Sequence, residues 1–499
     1  MTDTRVLLNR ISSLRQRLEQ RPAPAAETPA EAPDRVRRLE RQVEAGTRHA
    51  SLVDGSFRQL DEAKAAGDGF ALPQQLTSRA RRLLLTGQQL LAGLRTLADV
   101  FRLEPRLAGS EVSALGVWVG IDYADPLAVR YRETAAMLDT ALRTVQAYPD
   151  SPGAQLRLCD GLEATLTVVG ERSAALKYAV GRRKHEALRL DRLAALLLDL
   201  ADGKNVEAAA FLTLAESVLG DAEQGLPLRF EHVEALADLQ SEHARVWQAR
   251  AVACHCLTVA QVVARLVRHE AEVRVQPVDA VLAALVHDVG MLHVPVEVYG
   301  HPGALDDAQR RVLESHTRHG GELALKLWPS AGWLSEAAMS HHERHDGTGY
   351  PAGLRELQIA PLARFLAVCD VYAALCTPRP HRAAREPSTA LTDTLLLADK
   401  GALDRSCAER LLQLGFYPVG SVVEMADGAV GVVVAAPSVR VDLTTPARPV
   451  VQVLTDGHGH FLPAPRHLNL AECEGHTIVR GLNDAERRRL LGKRYPELC

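Results

Sequence analysis

Aromatic side chains are scarce in this chain of 499 residues: eight Phe, nine Tyr and four Trp amount to 4%. A chain that is 47% hydrophobic on Ala and Leu rather than on rings suits a mostly helical soluble protein. Net charge is also slight, at −4, so nothing global demands a nucleic-acid duplex or a membrane surface as partner. No run of 18 uncharged apolar residues occurs, and no membrane span is predicted. The start, Met1-Thr2-Asp3-Thr4-Arg5, lacks a signal-peptide core. The eight cysteines are scattered, which predicts reduced thiols in a cytoplasmic protein. Cys254-His255-Cys256 has the wrong spacing for a zinc finger, and no second cysteine pair completes one.

What is present is helix-forming sequence, enough of it for two to four domains. Residues 1–50 read as helix, linker, helix: Val6, Leu7, Ile11, Leu14 and Leu18 recur at helical steps, 21–34 is a Pro/Ala/Glu linker, and 35–46 is charged. From 51 to 250 helix follows helix, with Leu/Ala stripes at 82–100, 127–145 and 186–200. This region has no Gly-rich phosphate loop and no paired catalytic carboxylates, and a sensory, dimerising or scaffold role is its default. Its basic cluster, Lys177 with Arg182, Arg183, Lys184 and His185, reads as a solvated helix face. Beyond 401 the pattern changes. One helix at 404–414 precedes β-branched runs at 422–425, 430–435 and 450–454, which predict a small β-domain, and 484–491 closes with a helix.

The chemistry concentrates between 251 and 400. Ten of the 19 histidines fall between His255 and His345. Residues 341–351 read His-His-Glu-Arg-His-Asp-Gly-Thr-Gly-Tyr-Pro, and converging imidazoles and carboxylates usually hold a metal. His255, His287-Asp288, His316, His341-His342 and Asp370 recur at intervals of about one helix plus its connection, so each helix can bring its ligands to a similar depth in a bundle. His293, His301, His319 and His345 are left at the surface or behind the site.

The motifs His287-Asp288, His341-His342-Glu343, Asp346-Gly347 and Gly349-Tyr350-Pro351 together resemble the HD-GYP family of metal-dependent phosphodiesterases over roughly 250–385. The resemblance implies an HD-type helical bundle holding two divalent metal ions on His255, His287, Asp288, His316, His341, His342 and Asp370, with Asp288 as the bridging carboxylate and the key catalytic group. The His/Asp set suits iron or manganese better than zinc. The resemblance further implies Tyr350 against a guanine base, Gly347 and Gly349 in a loop of close backbone approach, and Arg379 and Arg382 as phosphate clamps. The sequence departs from the pattern at Met291 (family lysine), Thr317 (proline) and His381 (tyrosine), and at Ala251, where some members carry a glutamate for a third metal.

Two functions follow from the resemblance. One is hydrolysis of cyclic di-GMP to pGpG or GMP in bacterial second-messenger signalling, slowed by Met291. The other is a weakly active or inactive module that binds cyclic di-GMP and acts through protein contacts. A homodimer and a signalling-protein partner fit either. No proposed ligand lies in 1–240, so a 241–499 fragment is expected to keep the site.

Overall fold

The computed structural model describes residues 77–98, 100–101, 121, 125–230, 239–241, 243–267, 276–378, 382–435, 448–473, 475–492, 494–495 and 498. The helices expected at 3–20 and 35–46 lie outside the described residues. The chain divides into two compact units, with divisions between Glu186 and Ala187 and between Arg487 and Arg488.

In the first unit, α1 (Ser78–Ala98), α2 (Pro126–Thr144) and the first part of α3 (Pro152–Ala201) bury Leu94, Tyr131, Leu138, Leu162, Leu166 and Leu176 among themselves. Asp125 caps α2 through a 2.8 Å bond from Leu127 N, and Pro126 sets its first turn. The basic cluster is partly paired rather than merely solvated: Arg183 meets Asp125 at 3.0 Å and Arg182 meets Glu186 at 2.7 Å.

The second unit holds the end of α3 and then α4 (Ala208–Glu223), α5 (Ala244–Leu266) and α6 (Pro277–Val286). A 3-10 turn (Val289–His293) leads to α7 (Val296–Tyr299), α8 (Asp307–Glu314), α9 (His316–Leu327), α10 (Gly332–Ser340), α11 (Pro361–Cys376), α12 (Pro387–Asp399) and α13 (Arg405–Arg410). Prolines open α6, α11 and α12, where a missing N–H costs nothing. Helix α6 is apolar all round because neighbours cover it all round: Ala280 to Val286 are each 0–1% exposed. Helix α5 is the one described helix long and apolar enough to cross a membrane, but 78% of its most apolar stretch is buried in this bundle. It is a core helix.

The expected boundary at 250 falls inside α5, and the bundle's apolar core reaches back to Leu190. The reason is packing. Leu193, Leu197, Leu200, Phe211, Leu214 and Val218 belong to the same core as α5, α6 and α11.

Beyond the bundle, β1 (Val422–Met425), β2 (Val430–Ala435), β3 (Val450–Thr455), β4 (Phe461–Asn469) and β5 (Ile478–Gly481) form an antiparallel sheet in the order β4-β3-β2-β1-β5. The sequence reading found the three inner strands and missed both edges. Strand β4 contains Pro463 and Pro465, which argue against a central strand, but among the described residues it pairs only with β3 and lies at the sheet's edge, where proline is tolerated. Helix α14 (Asp484–Leu491) closes the described chain as expected.

One contact sets the geometry of the site. A Cβ on Gly290 would fall on the carbonyl oxygen of His316 and within 2.5 Å of Gly320 N. The turn after His287-Asp288 therefore presses directly on the first turn of α9. Gly290→Ala should cost at least the about 1–3 kcal/mol of an overpacked core, whereas Gly220→Ala in α4, with nothing within 4 Å of the added carbon, should gain up to about 1 kcal/mol. Urea unfolding of both variants measures this, and equal stabilities would contradict the close approach. The core argues against the 241–499 fragment too. Six lost side chains at about 1.5–3 kcal/mol each match or exceed a domain's whole stability of about 5–15 kcal/mol. A fragment of residues 187–499 should unfold cooperatively and one of 241–499 should not, as followed by circular dichroism on heating.

Candidate metal centre

Each proposed ligand stands on a helix or at its end. His255 is midway along α5, His287 and Asp288 follow α6, His316 opens α9, His341 and His342 follow α10, and Asp370 is in α11. The structure brings all seven together. Asp288 is at the centre, 7% exposed. Its Oδ1 lies 3.3 Å from His316 Nε2 and 3.4 Å from His341 Nε2. Its Oδ2 lies 3.6 Å from His255 Nε2 and 3.7 Å from His287 Nε2. Asp370 completes the ring, 2.9 Å from His255 Nε2 and 3.9 Å from His342 Nδ1.

Backbone carbonyls aim three of the imidazoles. His287 Nδ1 donates to Ala284 O at 2.8 Å, His316 Nδ1 to Leu313 O at 2.6 Å and His341 Nδ1 to Ala338 O at 2.8 Å. A carbonyl only accepts, so Nδ1 carries the proton and Nε2 points a lone pair inward. The Nε2 atoms of His316 and His341 then face each other at 3.5 Å beside a carboxylate. Lone pairs gathered around an anion require positive charge between them.

Protons on His287 and His342 do not readily supply it. Burial holds His287 down to about 4, against the pull of Asp288. Burial, with His341 close by, also puts His342 well below its usual value. Burial alone would raise Asp288 and Asp370, yet the surrounding imidazoles hold both below the usual carboxylate range, so both are ionised at neutral pH. Burial would likewise depress His316, but the adjacent Asp288 carboxylate raises it. His287 Nε2 and Asp288 Oδ1 are buried without a hydrogen-bond partner. Two groups can hold an ion: Asp288 with His316, His341 and His342, and Asp288 with His255 and His287. The donors present therefore fit divalent metal.

The loop after the histidines is folded back on them. The Tyr350 ring lies 4.9 Å from that of His342 and 6.3 Å from that of His316. A Cβ on Gly349 would come within 2.5 Å of Glu343 Cα and His342 O, so the close approach expected of this loop is to its own chain. Gly347 has a positive φ of 78° and faces Arg355. Arg382 donates to the Ala374 carbonyl in the last turn of α11. Arg379 and His381 lie outside the described residues. His293 and His319 face each other at 5.1 Å, and His301 accepts from Gly303 N.

The sequence reading gave no role to two supports. Gln248 is fully buried and donates to Met291 O at 2.9 Å and Val294 O at 2.8 Å, holding the turn after Asp288. It stands seven residues before His255, hence on the same face of α5, a spacing that could have drawn notice. Glu343 is 2% exposed and accepts from Ala352 N at 2.7 Å and Leu354 N at 2.9 Å. Its partners are backbone groups, which carry no sequence signal.

A helical bundle that gathers five imidazoles around a shared, buried aspartate is a candidate metal-binding domain of the His-Asp kind. Residues 231–407 match the HD domain family, and this segment belongs to it. Residues 422–490 match the KOW domain associated with HD domain. The chain is 35% identical over 156 residues to a cyclic di-GMP phosphodiesterase from Pseudomonas aeruginosa, covering 31% of this chain and 37% of that protein. It is 38% identical over 136 residues to the cyclic di-GMP phosphodiesterase response regulator RpfG from Xanthomonas campestris pv. campestris, covering 26% and 35%. It is 38% identical over 109 residues to 3'3'-cGAMP-specific phosphodiesterase 3 from Vibrio cholerae, covering 22% and 24%. The match thus spans little more than a third of these relatives at most.

Asp288→Asn removes charge from both ion-holding groups while keeping the side chain's shape. Elemental analysis of the purified variant should show loss of bound metal from both groups, with the helical circular dichroism retained. Full metal content would contradict the shared role of Asp288.

Proposed function

We propose that this chain is a phosphodiesterase that uses two divalent metal ions to hydrolyse cyclic di-GMP to pGpG or GMP. The observation that carries the proposal is the division of Asp288: one oxygen faces His316 and His341, the other faces His255 and His287. One carboxylate serving two groups of imidazoles is what a pair of neighbouring ions needs. The names of the relatives supply the substrate class.

His255, His287, Asp288, His316, His341, His342 and Asp370 would hold the ions, with iron or manganese suited to this donor set. Such a pair supplies a nucleophilic water near neutral pH and positive charge against the phosphate. The chain's residues do the rest. The carbonyls of Ala284, Leu313 and Ala338 keep three imidazoles in the ligating tautomer. His255 Nε2 and Asp370 Oδ1, 2.9 Å apart, would be two donors to one ion. Tyr350 and Arg382 are the described candidates for base and phosphate contacts, and Arg379 is the third.

Met291 gives the alternative of a slow or silent binding module its one specific support. Its N–H bonds Asp288 O at 2.9 Å, which puts the side chain one tight turn past Asp288, where it is half-buried against the core. An apolar thioether there supplies no charge to a phosphate. Purified protein should therefore hydrolyse cyclic di-GMP slowly. Met291→Lys should raise turnover toward the order of 10²–10³-fold that one such electrostatic contact is worth. Turnover assays with cyclic di-GMP and 3'3'-cGAMP side by side test both points. No hydrolysis of either by metal-loaded protein would leave the binding module. Preference for 3'3'-cGAMP would correct the substrate, and a fully metallated Met291→Lys that is no faster would remove the role given to this position.

A further inference from the structure

His342 differs from the other ligand histidines in how it is held. His287, His316 and His341 each donate Nδ1–H to a carbonyl three residues earlier, and His255 bonds Asp370 at 2.9 Å. The Nδ1 of His342 lies 3.9 Å from Asp370 Oδ2, beyond hydrogen-bond range. What surrounds it are rings: His341 at 4.2 Å, Tyr350 at 4.9 Å and His316 at 5.0 Å between centroids. Two of these are fellow ligands. Tyr350 is the only one of the three brought in from the loop.

That loop is strapped in place at three points. Tyr350 N donates to His342 O at 3.3 Å. Gly349 seats its backbone against His342, Glu343 and Arg344. The Glu343 carboxylate takes Ala352 N on Oε1 and Leu354 N on Oε2. A buried carboxylate bonded to two backbone donors, with no cation among its described bonds, is a costly device. It closes the chain immediately after Tyr350-Pro351, and nothing else described bonds those two N–H groups.

We infer that Glu343 and Tyr350 are positioning residues for His342: the carboxylate fixes the loop, and the loop presses the Tyr350 ring on an imidazole that lacks the carbonyl anchor of its neighbours. This rests on the two-ion reading above. It assigns the group of Asp288, His316, His341 and His342 a support that the group of His255 and His287 does not share. Outer partners of this kind typically govern metal affinity by roughly 10–100-fold.

The test is metal titration of the full-length apoprotein with Mn²⁺, followed calorimetrically, which resolves affinity and stoichiometry without turnover. Glu343→Gln keeps size but turns one acceptor into a donor facing an N–H. It should weaken one of the two binding events by roughly 10–100-fold and leave the other unchanged. Tyr350→Ala should do the same, and Tyr350→Phe, which keeps the ring, should restore wild-type affinity. The variant carrying both Glu343→Gln and Tyr350→Ala should be no weaker than Tyr350→Ala alone, since both changes act along one route. Equal weakening of both events, additive losses in the double variant, or Tyr350→Phe as weak as Tyr350→Ala would overturn the inference. If Glu343→Gln does not fold, the comparison of Tyr350→Ala with Tyr350→Phe still decides it. Wild-type protein that binds no Mn²⁺ would overturn the two-ion reading and this inference together. Two tight events unaltered by any of these variants would overturn the inference alone.

Discussion

A single buried carboxylate organises the bundle. Asp288 stands among imidazoles from four separate stretches of chain, and both its oxygens are engaged in facing them. In a low-dielectric interior such an arrangement is unfavourable unless positive charge occupies the space between the groups. The three carbonyl-anchored histidines aim Nε2 inward, and burial holds His287 down to about 4, so that ring does not readily take up a proton. The centre is thus built for a cation.

The fold supplies this geometry by packing helices close at their ends. Gly290 against His316 and Gly320 lets the turn after Asp288 touch α9 without a side chain between them. Gln248 pins the same turn from α5 through two carbonyls. Glu343 and Gly349 bring the following loop back on His342. The apolar side chains of α5, α6 and α11 fill the space behind the ligands, which keeps water from the back of the site.

Much of this was legible in the sequence because it depends on residue type at a spacing. The seven candidate ligands recur about one helix apart, and histidines so concentrated stand out from composition. The change from helical to alternating patterning near 420 announced the sheet. Other features depend on what a residue meets, and spacing does not carry that. The boundary at 250 was misplaced because a long alanine- and leucine-rich helix reads alike whichever core it fills, and Leu193 and Leu197 belong to the bundle only by contact. Strand β4 hid behind Pro463 and Pro465, which an edge tolerates. Glu343 was legible as part of the His341-His342-Glu343 motif, but its bonds to Ala352 N and Leu354 N were not. Tyr350 was read toward a base, and the packing of its ring on His342 was not foreseen.

The central claim is that Asp288 is shared by two ions. Anomalous X-ray diffraction from crystals of the metal-loaded protein, recorded at the iron and manganese absorption edges, tests it most directly. The account predicts two anomalous peaks flanking the Asp288 carboxylate, one beside His316, His341 and His342 and the other beside His255 and His287. A single peak, or peaks away from Asp288, would contradict it.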